Sequence, residues 1–90
     1  MDKVRCAHVL VKTQQEAMSI LDQVKSGKSF ASIAEEKSLC PSGKRGGDLG
    51  TFGRGQMVRE FEKTAFALQK GELSQPIKTQ FGWHIIKRLE

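Results

Sequence analysis

The sequence has 90 residues, of which 38% are hydrophobic and 28% charged, so it predicts one small globular domain spanning residues 1–90. Its net charge of +5 comes from lysines and arginines spread along the chain without interleaved aromatic residues, a pattern that argues against nucleic-acid binding. The charged start of the chain precedes no apolar segment, and no apolar run approaches the roughly 18 residues that cross a bilayer, so we expect a cytoplasmic protein.

The two cysteines, Cys6 and Cys40, are too few for a disulfide scaffold and form no C-x-x-C pair. We therefore expect two free thiols and no zinc site. Neither G-x-G-x-x-G nor G-x-x-x-x-G-K-[ST] occurs, which argues against nucleotide binding.

The first predicted element is a central strand from Val4 to Val11, because this segment is rich in β-branched and apolar residues and lacks glycine and proline. Side chains alternate between the faces of a strand. One face then carries Cys6, His8 and Leu10, and the other carries Ala7, Val9 and Val11.

Two helices are predicted next. Thr13 and Glu16 form a capping box with Thr13 as the N-cap, and Gly27 is placed to end the first helix in the left-handed conformation. The second helix begins near Ser29 and ends near Lys37. The apolar residues at helical spacing are Ala17, Ile20, Leu21 and Val24 in the first helix and Phe30, Ile33 and Ala34 in the second.

A glycine-rich stretch from Gly46 to Phe61 follows a predicted loop over Ser38 to Asp48. Isolated large apolar residues punctuate the glycines, which favours a strand and tight turns over a flexible linker. We predict a short strand from Leu49 to Phe52.

The last third of the sequence predicts a helix from Val58 to Gln69, stopped by Gly71, an edge strand from Pro76 to Lys78 and a final strand from Trp83 to Leu89. The order of strands and helices indicates an α+β fold with an antiparallel sheet. The pattern alone leaves the topology open.

The ordered motifs of this chain resemble those of parvulin-type peptidyl-prolyl cis/trans isomerases. They are GDLG, an aromatic residue, GQM, AF, GE, T-x-FG and HII in the second half, with CAHVLVK and SLCPSGKRGG before them. The resemblance covers essentially the whole chain, as a stand-alone catalytic domain. It implies a four-stranded antiparallel sheet surrounded by helices, the parvulin or FKBP-like fold.

Two histidines, His8 and His84, lie in the first and last predicted strands. From spacing alone, a purely structural pair is the simpler interpretation, since two facing histidines satisfy each other's ring nitrogens. The resemblance implies instead a histidine pair at the floor of an active site, supported by the hydroxyl of Thr79.

Cys40 invites a cysteine-protease hypothesis, but no thiol-protease signature surrounds it, and a lone cysteine in a loop is more often inert. The resemblance places it at the family's active-site Cys/Asp position. Because members can carry aspartate there, we expect a polar group beside the rotating amide, not an obligatory nucleophile.

Leu49, Met57 and Phe61 are most simply interpreted as core residues. The resemblance assigns them to a shallow pocket for the substrate's proline ring, with Gln56 as a polar contact to the substrate backbone and Phe81 at the rim. Rotation about an X–Pro bond breaks amide resonance but needs no covalent intermediate, so we expect no metal and no other cofactor.

The resemblance implies partners that are proline-containing peptides and unfolded or partly folded proteins, bound by a monomer. The connection after the first strand is only about Lys12 and Thr13, without the basic loop of the phosphate-directed branch. We therefore expect phosphorylation-independent recognition, with an apolar or otherwise permissive residue before proline. The alternative functions are a peptide-binding chaperone module without useful catalysis and weak docking on anionic membranes through Lys25, Lys28 and Lys37.

Overall fold

The computed structural model describes residues 2–90, and this range contains four strands, three α-helices and one 3-10 helix. In chain order they are β1 (Lys3–Val11), α1 (Gln14–Lys25), α2 (Phe30–Lys37), the 3-10 helix Pro41–Arg45, β2 (Asp48–Gly53), α3 (Arg59–Ala67), β3 (Ile77–Thr79) and β4 (Gly82–Arg88). This order confirms the predicted α+β class. No helix in residues 2–90 is long and apolar enough to span a bilayer.

The four strands form one antiparallel sheet in the spatial order β2-β1-β4-β3. The first and last long strands therefore lie side by side at its centre, with Leu10 opposite His84 and His8 opposite Ile86. The pairing of β1 with β2 is irregular between Arg5 and Ala7 and ends at Asp48. The end of β1, from residue 8 to residue 11, therefore has no strand partner on the side of β2, and another segment can bind there.

The two faces of the sheet are buried by different helices, and the alternation of side chains predicted along β1 is confirmed. The face with Ala7, Val9 and Ile85 packs against α1 and α2. The opposite face, which carries Cys6 and Ile86, packs against α3. Because both faces are covered, the two central strands carry apolar side chains on both sides.

Local signals set the starts of the first two helices. Thr13 Oγ1 accepts a hydrogen bond from the Glu16 amide at 3.1 Å, and Ser29 Oγ accepts one from the Ser32 amide at 3.2 Å. Gly27 follows the end of α1 with a φ of +111°. These caps satisfy amide groups that a helix leaves unpaired at its first turn.

Two predictions were wrong by more than one residue, whereas the predicted ends of the four strands lie within one residue of the observed ones. The segment predicted as a loop from Ser38 to Asp48 contains the 3-10 helix Pro41–Arg45, because proline fits the first turn of a helix. The third helix ends at Ala67 and not at Gln69, since Leu68 turns to an extended ψ of 149° and lies buried against the core. Gly71 belongs to the following turn, with a φ of +86°.

Candidate active site

The pairing of β1 with β4 brings the two histidines of the chain together on the face that α3 covers. Nδ1 of His8 lies 3.0 Å from Nδ1 of His84, and the rings stack with centroids 5.1 Å apart. The ring of Phe61 packs nearly perpendicular to both imidazole rings, with centroids 5.4 Å from each. Both histidines are buried, with 5% and 3% of their surface exposed, so this is a rigid cluster beneath the surface.

A chain of hydrogen bonds continues from this pair to the turn between β3 and β4. Thr79 Oγ1 lies 2.7 Å from Nε2 of His84 and accepts a hydrogen bond from the Phe81 amide at 3.1 Å. With the hydroxyl donating to His84, the His84 proton sits on Nδ1 and is donated to Nδ1 of His8. The His8 proton then sits on Nε2, a buried atom that has no partner among residues 2–90.

Both histidines are neutral at physiological pH. Burial, reinforced by the neighbouring His84, lowers the pKa of His8 to about 4. Burial also lowers the pKa of His84 to about 4. A neutral pair fits the single hydrogen bond between two Nδ1 atoms, where one ring donates and the other accepts.

The segment that carries Cys40 binds the end of β1, residues 8–11, that β2 leaves unpaired. Ser38 Oγ accepts hydrogen bonds from the amides of Leu10 at 3.1 Å and Cys40 at 3.3 Å, and the Leu39 amide donates to the Leu10 carbonyl at 2.8 Å. Ser42 donates from its hydroxyl to Sγ of Cys40 at 3.2 Å. These contacts hold the half-buried thiol in one position. Its side-chain hydrogen-bond partner is Ser42, whereas the thiol of a cysteine protease would be paired with a histidine.

The same segment returns to β1 through Gly47, whose carbonyl accepts a hydrogen bond from the His8 amide at 2.9 Å. Gly47 has a φ of +86°, and a Cβ atom there would lie 2.4 Å from the carbonyl oxygen of His8. Only glycine allows this approach. The glycine-rich stretch therefore serves to bring the Cys40 segment against the histidine strand.

Above the histidine pair lies an open cavity of about 470 Å³. Its lining consists of His8, Leu10, Leu39, Cys40, Pro41, Leu49, Gln56, Met57, Val58, Phe61, Phe81 and His84. All predicted site residues except Thr79 are in this set. Thr79 is buried behind His84 and reaches the cavity only through that ring.

Four lining residues were missed in the sequence: Leu10, Leu39, Pro41 and Val58. Alternation along β1 could have found Leu10, because it shares a face with His8. Leu39 and Pro41 flank Cys40 and could have been included with it. Val58 directly follows Met57 and could have been included by the same adjacency; it precedes the first residue of α3.

The apolar wall of the cavity is formed by residues that differ in burial. Phe61 is 3% exposed and packs in the same cluster as Phe52, so it belongs to the core as well as to the cavity. Leu49 and Met57 are only partly buried against that cluster. Both interpretations of these residues, core and pocket wall, therefore apply to Phe61.

Polar groups are few in the cavity, and within residues 2–90 none of the lining side chains is an aspartate, glutamate, lysine or arginine. Gln56 accepts a hydrogen bond from the Gly53 amide through Oε1 at 2.6 Å, which leaves its NH₂ group free to donate. The other cysteine, Cys6, is fully buried, and burial raises the pKa of its thiol to about 11. In the described part of the chain, no three His, Cys, Asp or Glu side chains group to hold a metal ion.

The chain is similar to known proteins over nearly its whole length. The family described as the PPIC-type PPIASE domain, or Rotamase, matches residues 7–90. The foldase protein PrsA of Geobacillus kaustophilus is 46% identical over 86 residues, which cover 94% of this chain and 31% of that protein. The chain spans about a third of the length of the curated relatives that it matches.

Solved structures show the same fold. The solution structure of NmPin, the parvuline of Nitrosopumilus maritimus, superposes with a TM-score of 0.90 at 48% identity, covering 100% of this chain and 98% of that one. The crystal structure of PrsA from Bacillus anthracis superposes with a TM-score of 0.95 at 38% identity, covering 97% of this chain and 41% of that one. The chain therefore belongs to the parvulin family of peptidyl-prolyl isomerase domains.

Proposed function

We propose that this chain catalyses cis/trans rotation about X–Pro peptide bonds in exposed or unfolded segments of other proteins, and that it thereby assists slow steps in folding. The observation that carries the proposal is an uncharged, mostly apolar cavity whose floor is a hydrogen-bonded pair of neutral histidines. Such a cavity accepts an apolar ring and holds a few polar atoms close to the bond that turns.

In the proposed mechanism, the proline ring rests on Leu49, Met57 and Phe61, which are contributed by β2, α3 and the turn between them. Met57 adapts to the shape of the ring because its side chain is unbranched and flexible. The enzyme holds the proline ring fixed while the carbonyl group of the preceding residue rotates about the X–Pro bond.

The barrier to this rotation is about 18–20 kcal/mol because the twisted amide loses its resonance. The planar amide is more charge-separated than the twisted one, so moving the amide from water into a cavity without charged groups favours the twisted state. Gln56 lines the cavity, and its free NH₂ is the proposed donor of a hydrogen bond to the substrate backbone. Each 1.36 kcal/mol removed from the barrier increases the rate about tenfold.

Cys40 contributes a polar, electron-rich sulfur beside the rotating amide in this proposal. Its Sγ accepts a hydrogen bond from Ser42, and that hydrogen bond fixes the sulfur in place. A covalent step is not part of the mechanism, since rotation makes and breaks no covalent bond.

The decisive test is a protease-coupled isomerisation assay with Ala-Leu-Pro-Phe peptides on the 90-residue chain alone. We expect a rate constant that grows linearly with enzyme concentration above the uncatalysed rate. If the peptide binds, by titration, but isomerises no faster than in buffer, the chain is a binding module and the catalytic proposal fails.

We also propose that the chain acts as a monomer in a reducing compartment such as the cytoplasm. Two free cysteines support the compartment. The only large apolar side chains exposed among residues 2–90 are Met18, Leu39 and Phe81, and two of these flank the cavity. Sedimentation at micromolar concentration tests the monomer, and cell fractionation tests the location.

Any attraction to anionic membranes is proposed to be weak and electrostatic. Lys25 and Lys37 are the last residues of α1 and α2, and Lys28 lies in the connection between them. All three are exposed and form no ion pair with any side chain of residues 2–90. Liposome sedimentation at low and at 0.15 M salt tests this, because a salt-sensitive attraction weakens as the screening length falls to about 8 Å.

A further inference from the structure

A second concave region of the surface adjoins the cavity at Gln56. It consists of two neighbouring pockets of about 390 and 290 Å³, which share the side chains of Asp2, Lys3 and Arg54. Gln56 lines the larger of the two and also lines the cavity above the histidine pair. We call the two together the basic pocket. Its remaining lining residues are Val4, Gly53, Phe66 and Arg88.

Cations outnumber anions in the lining of the basic pocket. Lys3 is exposed and forms no ion pair with any side chain of residues 2–90. Arg88 donates hydrogen bonds to the carbonyl oxygens of Leu68 and Glu90 and has no carboxylate partner in this range. With Arg54 as the third cation and Asp2 as the one anion, the lining carries a net charge of +2. Such a concave surface attracts anionic groups.

Arg54 is held in one orientation with part of its hydrogen-bonding capacity unused. Its guanidinium stacks 4.3 Å from the ring centroid of Phe66, and its Nε donates to the Asp2 carboxylate at 3.3 Å. Asp2 and Arg54 are 67% and 57% exposed, and an ion pair this exposed is weak. An incoming carboxylate can therefore replace Asp2 and bind the planar guanidinium through two parallel hydrogen bonds.

We propose that the basic pocket binds acidic side chains of the substrate that lie three or four residues from the proline. The proposal rests on the proposed function, in which Gln56 contacts the substrate backbone, so a peptide that passes Gln56 leaves the cavity into the basic pocket. An extended chain advances about 3.3–3.6 Å per residue, so three or four residues span roughly 10–14 Å. The substrates favoured by this contact are X–Pro segments flanked on one side by aspartate or glutamate.

The position of the basic pocket separates this preference from the site of rotation. Arg54 is two residues from Gln56 along the chain, so their Cα atoms lie within about 7 Å of each other. The cavity that receives the proline has no charged side chain of residues 2–90 in its lining. The acidic preference therefore applies to residues beyond the immediate neighbours of the proline.

The test compares kcat/KM for three peptides, measured by NMR exchange spectroscopy so that no coupling protease is needed. They are Glu-Glu-Ala-Leu-Pro-Phe-Ala-Gln-Gln, Gln-Gln-Ala-Leu-Pro-Phe-Ala-Glu-Glu and the neutral Gln-Gln-Ala-Leu-Pro-Phe-Ala-Gln-Gln. At 0.15 M salt, one of the two acidic peptides should exceed the neutral one by about fivefold, since each exposed ion pair contributes a factor of about 1.4–5. The other acidic peptide should match the neutral one, because its glutamates leave the cavity at the opposite end.

Arg54→Glu should abolish this preference and favour a peptide with lysines in place of the two glutamates. Lys25→Glu is the matched control, because it makes the same change of charge at an exposed residue at the end of α1, outside both the cavity and the basic pocket. Its acidic-to-neutral ratio should equal that of the wild type. Fluorescence of Trp83, the only tryptophan, verifies that each variant is folded.

Asp2→Asn provides a gain of function that removes no cation. It takes away the carboxylate that now pairs with Arg54, so the acidic-to-neutral ratio should rise about twofold above that of the wild type. A ratio that stays unchanged in both Asp2→Asn and Arg54→Glu would place the acidic side chains elsewhere and overturn the proposal.

The two proposals fail in different ways. If no peptide is isomerised faster than in buffer, the proposed function itself is wrong. If all three peptides are accelerated equally, only the basic pocket assignment is wrong. The same holds if Lys25→Glu lowers the acidic preference as much as Arg54→Glu, because the attraction is then a diffuse effect of the net charge.

Discussion

Single side chains at this site act through partners that are few and specific. Thr79 is the clearest case, because its hydroxyl connects the Phe81 amide to His84 Nε2 in the interior. Removing one partner from a buried hydrogen bond costs about 1–3 kcal/mol, more than the net contribution of the bond itself.

Thr79→Val should therefore lower the free energy of unfolding by about 1–3 kcal/mol and also reduce kcat/KM, since His84 loses the group that sets its tautomer. Thr79→Ser keeps the hydroxyl and should retain most of both. Urea unfolding and the peptide assay measure the two effects. A valine variant with wild-type activity would show that the hydroxyl has no influence on the histidine pair.

Cys40 should tune the reaction without being essential. Cys40→Asp should retain measurable activity, because a carboxylate can accept the hydrogen bond that Ser42 now donates to the sulfur. Cys40→Ala should lose more, since it removes the polar group. Complete loss in a folded Cys40→Asp variant, or a covalent adduct of substrate with Cys40, would contradict this expectation.

The segment that carries Cys40 is attached to β1 by close contacts between the two backbones. The segment from Ser38 to Gly47 continues the hydrogen bonding of β1 where β2 has ended, and Gly47 closes it against His8. The position of Cys40, which directly precedes the 3-10 helix, therefore depends on these contacts with β1.

Gly47→Ala should be strongly destabilising and should reduce activity, because the added Cβ would lie 2.4 Å from the His8 carbonyl oxygen at a φ of +86°. Gly71→Ala is the matched control, as Gly71 has the same φ of +86° but an added Cβ would meet no other atom of residues 2–90 within 4 Å. The control should lose about 1–2 kcal/mol from the left-handed conformation alone. Equal melting temperatures for the two variants would contradict a role for the close approach.

At the scale of the whole molecule, burial of the histidine pair links folding to pH. The folded pKa of both histidines is about 4, below the ordinary value of 6.5, so the unfolded chain binds more protons between these values. Stability should be insensitive to these groups above pH 6.5. It should fall as pH drops toward 4, by at most about 1.4 kcal/mol per pH unit for each histidine.

Urea unfolding followed by Trp83 fluorescence from pH 7.5 to 4 measures this slope. Asp48→Asn is the control, because the hydrogen bond from Arg5 lowers the pKa of Asp48 below its ordinary 3.8, and its contribution is lost only at lower pH. The control should be less stable overall but show the same slope between pH 6.5 and 4. A flat profile in that window would contradict a buried neutral pair.

The overall charge of +5 is not focused on the cavity. Lys12, Lys44, Arg45 and Arg59 do not line it. Arg54 instead stacks 4.3 Å from the ring centroid of Phe66 and pairs with Asp2. A phosphate beside proline would therefore meet only a diffuse, screened attraction.

Peptides with Leu–Pro should accordingly be turned over at least as well as matched phospho-Ser–Pro peptides at 0.15 M salt. The measurement is kcat/KM for both peptides at two ionic strengths. A preference for the phosphopeptide above about a hundredfold, or about 2.7 kcal/mol, that persists at the higher salt would require a specific phosphate clamp and contradict the structure.

The sequence by itself determined those features that depend on neighbours along the chain. Alternation along β1 predicted which side chains share a face of the sheet, the Thr13 cap predicted the start of α1, and the order of elements predicted an α+β fold. The dense motifs predicted the family, and the family match confirmed it. The catalytic and binding roles of the site residues stay predictions until the variants are measured.

Only the tertiary structure decided which distant residues share the cavity. Leu39 and Phe81 both line it because β1 lies beside β4 and the Cys40 segment binds the part of β1 that β2 leaves unpaired. The early end of α3 likewise follows from the burial of Leu68 in the core. Contacts between residues that are far apart in the chain fix these positions, and no local periodicity records such contacts.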